Sequence, residues 1–242
     1  MVSLVQESTK TKRGSKFKLS CRDQVLLWLK YIREYLSFES VGIIFGVSKS
    51  AAYRVCIFVE NVLIKNKSFH LPGKKELLKV KDGSIAIDVS ESPVQRPTKK
   101  PKHYYSGKKK KHTIKNQISV STETKKILSA AISNCRQHDF KLFKNSKTNI
   151  HPDNEVLVDS GYQGITNFHS NSSLPKKNTK NKKLSKVDKI KNKKFSSKRI
   201  IVENVFAMLK RFKIIAEKYR NRRKRFALRF NLISAIYNLE LA

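Results

Sequence analysis

The first part of the chain places apolar residues at helical spacing. From residue 20 to residue 65 there is no proline, and apolar side chains recur every three or four positions, at Val25, Leu29, Ile32 and Leu36. This period is typical of amphipathic helices and predicts a small all-α domain over residues 20–66. Pro72 and Gly73 interrupt the pattern, so a domain boundary is expected between residues 66 and 80. The polar and basic residues 1–19 are predicted to form a loose tail.

After residue 80 the pattern changes to short apolar runs, which are typical of buried strands. Strands are predicted at residues 84–89, 116–120, 127–132 and 155–158, with a short helix at 137–146. The segment 94–112 is strongly basic and is predicted to form a loop or hairpin. This mixture predicts an α/β domain with a mixed sheet over residues 80–242.

The last third of the chain combines a polar insertion with two apolar helical patterns. Residues 171–197 are rich in lysine and poor in apolar residues, which predicts an exposed or disordered insertion. Residues 197–218 have the pattern of a strongly amphipathic helix, with Ser197 as its N-cap. Residues 226–241 are predicted to form a last helix.

The net charge changes the functional interpretation. The 242 residues include 53 Lys and Arg against 18 Asp and Glu, a formal charge of +35. Such a charge opposes compaction unless a polyanion binds, and nucleic acid is the obvious polyanion. The basic residues spread over the whole chain, which disfavours a membrane surface, and no signal peptide or membrane-length apolar run is evident. The three cysteines are widely spaced, which disfavours zinc and fits reduced thiols in an intracellular protein.

Residues 38–57 have the spacing of a helix-turn-helix. Gly42 is small where two helices must approach, Gly46 suits a left-handed turn, and Ser48 can cap the second helix. The expected exposed face, which would enter the major groove of DNA, comprises Ser48, Lys49, Ser50, Tyr53 and Arg54. An ordinary three-helix bundle is the alternative, and the net charge favours DNA binding over it.

Three acidic residues form a candidate catalytic site. Asp88 and Asp159 each end a predicted strand, and Glu203 lies on the helix predicted at residues 197–218. Carboxylates placed in this way can converge on two Mg²⁺ (or Mn²⁺) ions, about 4 Å apart, for in-line phosphoryl displacement. Taken singly, each aspartate is more often a turn residue or cap, and a helical glutamate is usually solvated.

Basic residues accompany the candidate site. Arg199, Glu203 and Lys210 fall within a stripe of about 40° on a helix, so both cations are predicted to contact DNA phosphates. The alternative is a solvated face with intrahelical ion pairs. A second basic run at residues 218–225, which includes Arg222 and Arg223, is also predicted to grip the phosphate backbone.

The sequence resembles a known family in several stretches that occur in the family's order. They are LSFESVGIIFGVSKSAAYRV, IAIDVSESPVQRP, YYSGKKKKHTIKNQISV, VLVDSGYQG, SSKRIIVENVFAMLKRFKI and YRNRRKRF. The chain is thereby similar to the DDE transposases of bacterial insertion sequences and their Harbinger-type eukaryotic relatives. The resemblance implies an RNase H-like catalytic domain preceded by a helix-turn-helix. It assigns the catalytic and metal-binding roles to Asp88, Asp159 and Glu203, with Arg199 and Lys210 as the basic positions.

The resemblance also implies partners and a place of action. The expected partner is double-stranded DNA, as the terminal inverted repeats of the element and as target DNA, bound by a homodimer or higher oligomer. No membrane and no small-molecule substrate is expected, and the site of action is the bacterial cytoplasm or nucleoid, or the nucleus in a eukaryote. The alternatives are a catalytically decayed DNA-binding derivative, a general endonuclease of the same fold, and a basic RNA-binding protein. The roles of Glu91 and of His138 and Asp139 stay open.

Overall fold

A computed structural model describes residues 1–11, 14–72, 77–79, 81, 83–178, 183–221 and 223–241. The chain divides into two compact units. One unit joins Met1–His70 to Leu209–Ile236, and the other joins Leu71–Met208 to Tyr237–Ala242. Each unit is therefore built from segments that are far apart in the sequence.

The first unit is helical. Its helices are α1 (Val2–Lys10), α2 (Cys21–Glu34), α3 (Phe38–Ile44) and α4 (Lys49–Leu63), to which the C-terminal part of the chain adds α7 (Lys213–Ala216) and most of α8 (Phe226–Glu240). Serine side chains cap three of these helices, since Ser20, Ser37 and Ser48 each accept a hydrogen bond from the backbone N–H three residues later. Leu27, Trp28 and Ile32 are fully buried in the core of this unit.

The N-terminal residues form a helix where a loose tail was expected. Helix α1 buries Val5 completely, and the Thr9 hydroxyl donates to the Val5 carbonyl at 2.7 Å. A single buried valine in nine mostly polar residues leaves little periodic signal in the sequence. Packing against the rest of the unit therefore decides this helix, because isolated helices of this length are marginal in water.

The second unit is built on a mixed sheet of β1 (Ser84–Pro93), β2 (Tyr105–Ser106), β3 (Lys111–Ser121), β4 (Ile127–Asn134), β5 (Glu155–Leu157) and β6 (Ser172–Ser173). Strand β1 pairs antiparallel with β3, and β3 pairs antiparallel with β2 and β4. On its other edge β1 pairs parallel with β5, which continues in parallel to β6. This mixed sheet, preceded by the helical unit, confirms the predicted fold class.

One face of the sheet packs on a core that includes helix α5 (Asp139–Ser146). Ile85 and Ile87 of β1 belong to this buried cluster, together with Phe143 of α5 and Val156 of β5. Successive residues of a strand point to opposite faces. Asp88 therefore points away from Ile87 and from this core, toward the other face of the sheet.

The second half of the segment 171–197, predicted to be exposed or disordered, forms the start of a largely exposed helix. Helix α6 runs from Lys186 to Lys210, so it starts eleven residues before the expected cap at Ser197 and ends at Lys210 rather than at residue 218. Ser197 lies inside the helix and its hydroxyl donates to the Lys193 carbonyl at 3.0 Å. Lysine has a good intrinsic helix propensity, and the apolar face of residues 201–209 propagates the helix backwards into the lysine-rich segment.

In the part of the chain that the structure describes, no single helix is long and apolar enough to cross a membrane. Helices α3 and α4 together have the length and apolar composition of such a span, but a bend of 96° separates them.

Candidate active site and DNA-binding surface

Helices α3 and α4 form a helix-turn-helix. The bend between them is 96°, and the turn is made by Gly46 at φ +65°. At Gly42 an added Cβ would lie 2.6 Å from the Val47 carbonyl oxygen, so only glycine permits this approach. The Ser48 side chain accepts from the Ala51 N–H at 3.2 Å. The turn, the close approach and the cap are all where the sequence predicted them.

The face predicted to enter DNA is solvent-exposed. Ser48, Lys49, Ser50, Tyr53 and Arg54 are all exposed, whereas Ala52, Val55 and Val59 on the opposite side of α4 are buried. The Tyr53 ring lies edge-on to Phe38 with 5.3 Å between centroids, which fixes its position on this surface. Polar, basic and aromatic side chains on one exposed helical face are suited to the major groove.

Part of the basic run 218–225 has a structural role instead of the predicted contact with phosphates. The Arg220 guanidinium stacks on the Tyr35 ring at 4.5 Å. Arg225 donates to Glu60 at 2.8 Å and to Asn61 at 3.0 Å. Arg223 lies in a short 3₁₀ helix at the end of this run, and Arg222 lies outside the described residues.

A buried carboxylate receives two arginines in the same unit. The Glu60 side chain is completely buried, accepts from Arg225, and accepts from Arg229 Nε at 2.7 Å. Arg229 also donates to the Tyr219 hydroxyl at 2.9 Å. Burial lowers the pKa of Arg229, but the Glu60 carboxylate more than offsets this and holds it above its usual value. The network joins the C-terminal segment to α4, and no local sequence pattern predicted it.

Asp88 lies near the middle of the central strand β1 with restricted access to water. Its side chain is 23% exposed, and its Oδ1 accepts from the Val89 N–H at 2.8 Å. Arg199 Nη2 of α6 lies 3.6 Å from the same oxygen. This contact places the helix that carries Glu203 over the face of the sheet to which Asp88 points.

Asp159 follows β5 and organises a tight turn. Its Oδ1 accepts from the Gly161 N–H at 2.8 Å, and its backbone carbonyl accepts from the Tyr162 N–H at 3.2 Å. A Cβ at position 161 would lie 3.0 Å from Asp159 Oδ1, so glycine gives the carboxylate room. Strand β5 runs parallel to β1 and pairs Leu157 with Ala86, so Asp159, two residues later, comes level with Asp88.

The three predicted carboxylates act on one another electrostatically. Burial, with smaller contributions from the charges of Asp159 and Glu203, raises the pKa of Asp88 to about 6. The hydrogen bond from Val89 and the charge of Arg199 oppose this without cancelling it. Asp159 and Glu203 therefore lie near enough to Asp88 to influence its charge.

The donor set fits a divalent cation by its chemistry. A desolvated carboxylate with two further carboxylates nearby presents hard oxygen ligands and uncompensated negative charge, which Mg²⁺ or Mn²⁺ prefers. Among the described residues, no group of three His, Cys, Asp or Glu side chains stands close enough together to hold a metal ion.

Arg199 and Lys210 differ in their surroundings. The Arg199 side chain is 14% exposed, and its buried Nε has no hydrogen-bond partner within the described chain. Lys210 is exposed as the last residue of α6. The stripe that the helical period predicted is present, and Arg199 lies against Asp88.

Several polar residues around the site had no strong signal in the sequence. The Tyr162 hydroxyl is buried and donates to Gln117 Oε1 at 3.2 Å, and Gln117 is the Cα partner of Val89 in the sheet. Burial, with the charges of nearby aspartates, raises the pKa of Tyr162 well above its usual value. This bond ties the turn after Asp159 to the strand beside Asp88.

The residues left open by the sequence have structural partners. Lys115 Nζ lies 2.7 Å from Asp139 Oδ1, and Glu91 accepts from the Thr113 hydroxyl at 2.8 Å. His138 is the N-cap residue of α5, without a hydrogen bond from its side chain to the helix. The pairing of Glu91 with Thr113 follows from the register of β1 with β3, which only the assembled sheet defines.

The chain matches known proteins along both units. Residues 87–238 match the family described as DDE superfamily endonuclease, and residues 17–68 match the helix-turn-helix of DDE superfamily endonuclease. A probable transposase for insertion sequence element IS702 from Microchaete diplosiphon is 44% identical over 246 aligned residues. That alignment covers 100% of this chain and 89% of the relative. The matched ranges contain the exposed face of α4 and all three carboxylates.

Proposed function

The chain is a transposase that belongs to the DDE superfamily endonucleases and carries their helix-turn-helix, and on this premise we propose that it cuts the ends of its own element and joins them to target DNA. One observation carries the proposal. Asp88, Asp159 and Glu203 come from three separate elements, yet the latter two raise the pKa of a largely buried Asp88. Clustered, poorly compensated carboxylates are typical of reactive sites.

DNA recognition is assigned to α4. Ser48, Lys49, Ser50, Tyr53 and Arg54 form one exposed face at the start of the helix, which is the part that contacts base edges in helix-turn-helix proteins. The terminal inverted repeats of the element are the proposed sequence. Arg54 is the residue best suited to a bidentate contact with guanine, whereas Lys49 and the serines suit phosphates.

The carboxylate cluster is assigned to strand cleavage and strand transfer. Asp88, Asp159 and Glu203 would hold the divalent cations. When bound, Mg²⁺ or Mn²⁺ would activate the attacking oxygen and stabilise the leaving oxygen of an in-line displacement at phosphorus. Water is the nucleophile in the first displacement and the freed 3′-OH of the element is the nucleophile in the second, so no protein nucleophile is required.

Arg199 is assigned to the substrate phosphate. Its guanidinium already lies 3.6 Å from Asp88, and its buried Nε has no hydrogen-bond partner among the described residues. A guanidinium can donate to two phosphate oxygens in parallel, which fixes their orientation. Lys210 and Arg223, which both belong to the helical unit, are also assigned to DNA phosphates.

Joining two ends in one reaction requires two active sites, so a dimer or higher oligomer is proposed. The place of action is then the nucleoid, where the element and its target lie. A short direct duplication around the inserted element would identify the ends to be used as substrate.

The decisive experiment is cleavage of a duplex that carries the element end. Wild-type protein should nick it with Mg²⁺ or Mn²⁺ and should not nick it with EDTA. Asp159→Asn and Glu203→Gln should abolish nicking, whereas Asp153→Asn, an exposed aspartate paired with Lys81, should leave it unchanged. Nicking that survives both site variants would remove the carboxylate assignment. Tight binding to the end without nicking by the wild type would indicate a decayed derivative, and nicking of any duplex alike would indicate a general endonuclease.

A further inference from the structure

The N-terminal half of α6 has no role in the site described above. Residues 186–198 contain six lysines and one acidic residue, and all six lysine side chains are exposed. The segment is the helical part of the region where the sequence predicted disorder. It continues without a break into the turns that carry Arg199 and Glu203.

A strap of preceding chain holds this half of the helix in place. Asn192 Oδ1 accepts from the Lys176 N–H at 3.0 Å, and Asn192 Nδ2 donates to the Lys176 carbonyl at 2.9 Å. Lys176 Nζ lies 2.5 Å from Asp188 Oδ1. The single acidic residue of the segment is therefore already neutralised from outside the helix.

Three of the lysines form a row. Lys186, Lys189 and Lys193 are spaced three and four residues apart, so they lie within about 60° of one another around the helix axis. Within the described ranges of the chain, no carboxylate pairs with any of them. Like charges at this spacing repel each other along a helix. A bound polyanion would relieve that repulsion.

The row lies on a neighbouring face of the helix that carries Glu203. Lys189, Lys193 and Lys186 lie about 40°, 80° and 100° around the axis from Glu203, and the row begins about 15 Å and ends about 25 Å from Glu203 along the helix. Adjacent phosphates of one DNA strand are about 3.4 Å apart along the duplex axis. With the helix lying along the duplex, the row spans the phosphates of the base pairs about four to eight positions from the bond that the carboxylates would cut.

We propose that Lys186, Lys189 and Lys193 form a second DNA-binding surface, which holds the duplex next to the cleaved bond. The inference rests on the proposed function, since it takes double-stranded DNA as the ligand of the site. Lysine ammonium groups bind phosphates as point charges, so this surface carries no base specificity. It complements the sequence-reading surface of α4, and its rigidity comes from belonging to the same helix as Glu203.

The test compares two triple variants of the full chain with equal net charge. Lys186→Gln, Lys189→Gln and Lys193→Gln remove the row, while Lys125→Gln, Lys126→Gln and Lys147→Gln remove three exposed lysines from the β3–β4 turn and the end of α5. In the row variant the negative slope of log affinity against log salt should become shallower by about 3, equally on end DNA and on a random duplex. Its affinity should fall about tenfold or more at low salt. The control variant should keep the wild-type slope.

A footprint on end DNA locates the surface. Wild-type protein should protect phosphates about four to eight base pairs from the cleaved bond. The row variant should lose this protection and keep that of the helix-turn-helix. Replacing the same three lysines by arginine should restore both the slope and the protection, which shows that charge is what matters.

The failure of this surface differs from the failure of the proposed function. If the row variant matches the control variant in salt slope and footprint, the second surface does not exist, even when wild-type protein cuts its ends normally. If wild-type protein does not cut, the salt slope on random duplex still decides whether the row binds DNA. If the row variant binds DNA normally, while Val187→Ser with Ile190→Ser on the same exposed segment changes the oligomeric state, this half of α6 is a protein interface instead.

Discussion

The two units of this protein place carboxylates beside arginines in opposite ways. In the helical unit Glu60 is fully buried and lies 2.7 and 2.8 Å from two guanidinium groups. In the sheet unit Asp88 has one arginine at 3.6 Å, and burial, with smaller contributions from two further carboxylates, raises its pKa. Two guanidinium groups hydrogen-bond to the first carboxylate, whereas the second keeps a raised pKa beside its single arginine.

The difference separates a structural charge from a reactive one. A buried carboxylate that accepts hydrogen bonds from two arginines holds segments together. Its removal leaves those arginines buried without a counter-charge. Burial and nearby like charges make the ionised form of a carboxylate unfavourable. Such a carboxylate is stabilised when it binds a cation or a proton. The same residue types therefore join two segments in one unit and prepare a binding site in the other.

The largest effect is expected on cleavage. Glu203→Gln keeps the shape of the side chain and removes one carboxylate from the cluster, and should reduce the rate of end cleavage by about 10⁴-fold. Glu203 is exposed, so the unfolding midpoint in urea should stay at the wild-type value. Single-turnover nicking and urea unfolding measure the two quantities. Loss of stability together with activity would mean that Glu203, like Glu60, has a structural role.

The next effect is on the stability of the helical unit. Glu60→Ala leaves Arg229 buried without its carboxylate and should cost about 3–5 kcal/mol of unfolding free energy. Glu34→Ala is the matched control, because Glu34 pairs with Lys213 at 2.8 Å on the surface, where water screens the pair, and should leave the unfolding free energy nearly unchanged. Urea unfolding followed by Trp28 fluorescence measures both. Equal costs would show that burial does not set the strength of these pairs.

Replacing Asp88 should change the stability of the folded protein in the opposite direction to replacing Glu60. Its raised pKa means that the folded state binds a proton more tightly than the unfolded state, so stability is full below about pH 4 and declines as the pH rises through about 6. Asp88→Asn should therefore stabilise the metal-free protein at pH 7.5 by about 2–3 kcal/mol, although it abolishes cleavage. The gain should vanish below about pH 4.

Thermal unfolding between pH 4 and pH 8 in EDTA tests this expectation. Asp153→Asn is the control, because Lys81 holds the pKa of Asp153 below its usual value, so neutralising it should not stabilise the protein. Mg²⁺ should raise the melting temperature of the wild type and leave that of Asp88→Asn nearly unchanged. A destabilised Asp88→Asn at pH 7.5 would mean that Arg199 compensates the carboxylate after all.

The smallest effect is expected from removing the hydrogen bond that joins the turn after Asp159 to β3. Tyr162→Phe removes the hydroxyl that donates to buried Gln117, which leaves an acceptor unsatisfied and should cost about 1–2 kcal/mol. Because the bond ties the Asp159 turn to β3, cleavage should also slow while DNA binding stays unchanged. Filter binding and nicking at one temperature separate the two outcomes. An unchanged cleavage rate would limit Tyr162 to packing.

The sequence by itself determined the elements whose causes are local. Gly46 needs a left-handed backbone, Gly42 permits a close approach, and Ser48 caps α4, so the helix-turn-helix could be predicted from a few neighbouring residues. The central strand β1 also followed from its own apolar run. The acidic residues Asp88, Asp159 and Glu203 were found by their predicted placement at strand ends and on a helix, and by family resemblance. The predicted end of the first strand was wrong, because β1 continues to Pro93 through its pairing with β3 and leaves Asp88 near its middle.

Only the tertiary structure decided which charges meet. Glu60 pairs with Arg225 and Arg229 at separations of 165 and 169 residues, so one arginine of the run predicted to contact phosphates pairs with a buried carboxylate. The raised pKa of Asp88 depends on burial, which no local pattern encodes. Helix α6 extends through the lysine-rich segment because packing and the Lys176 strap stabilise it. Hydrogen bonds within a helix or turn are read from neighbouring residues, whereas burial and electrostatic compensation exist only after distant segments have packed.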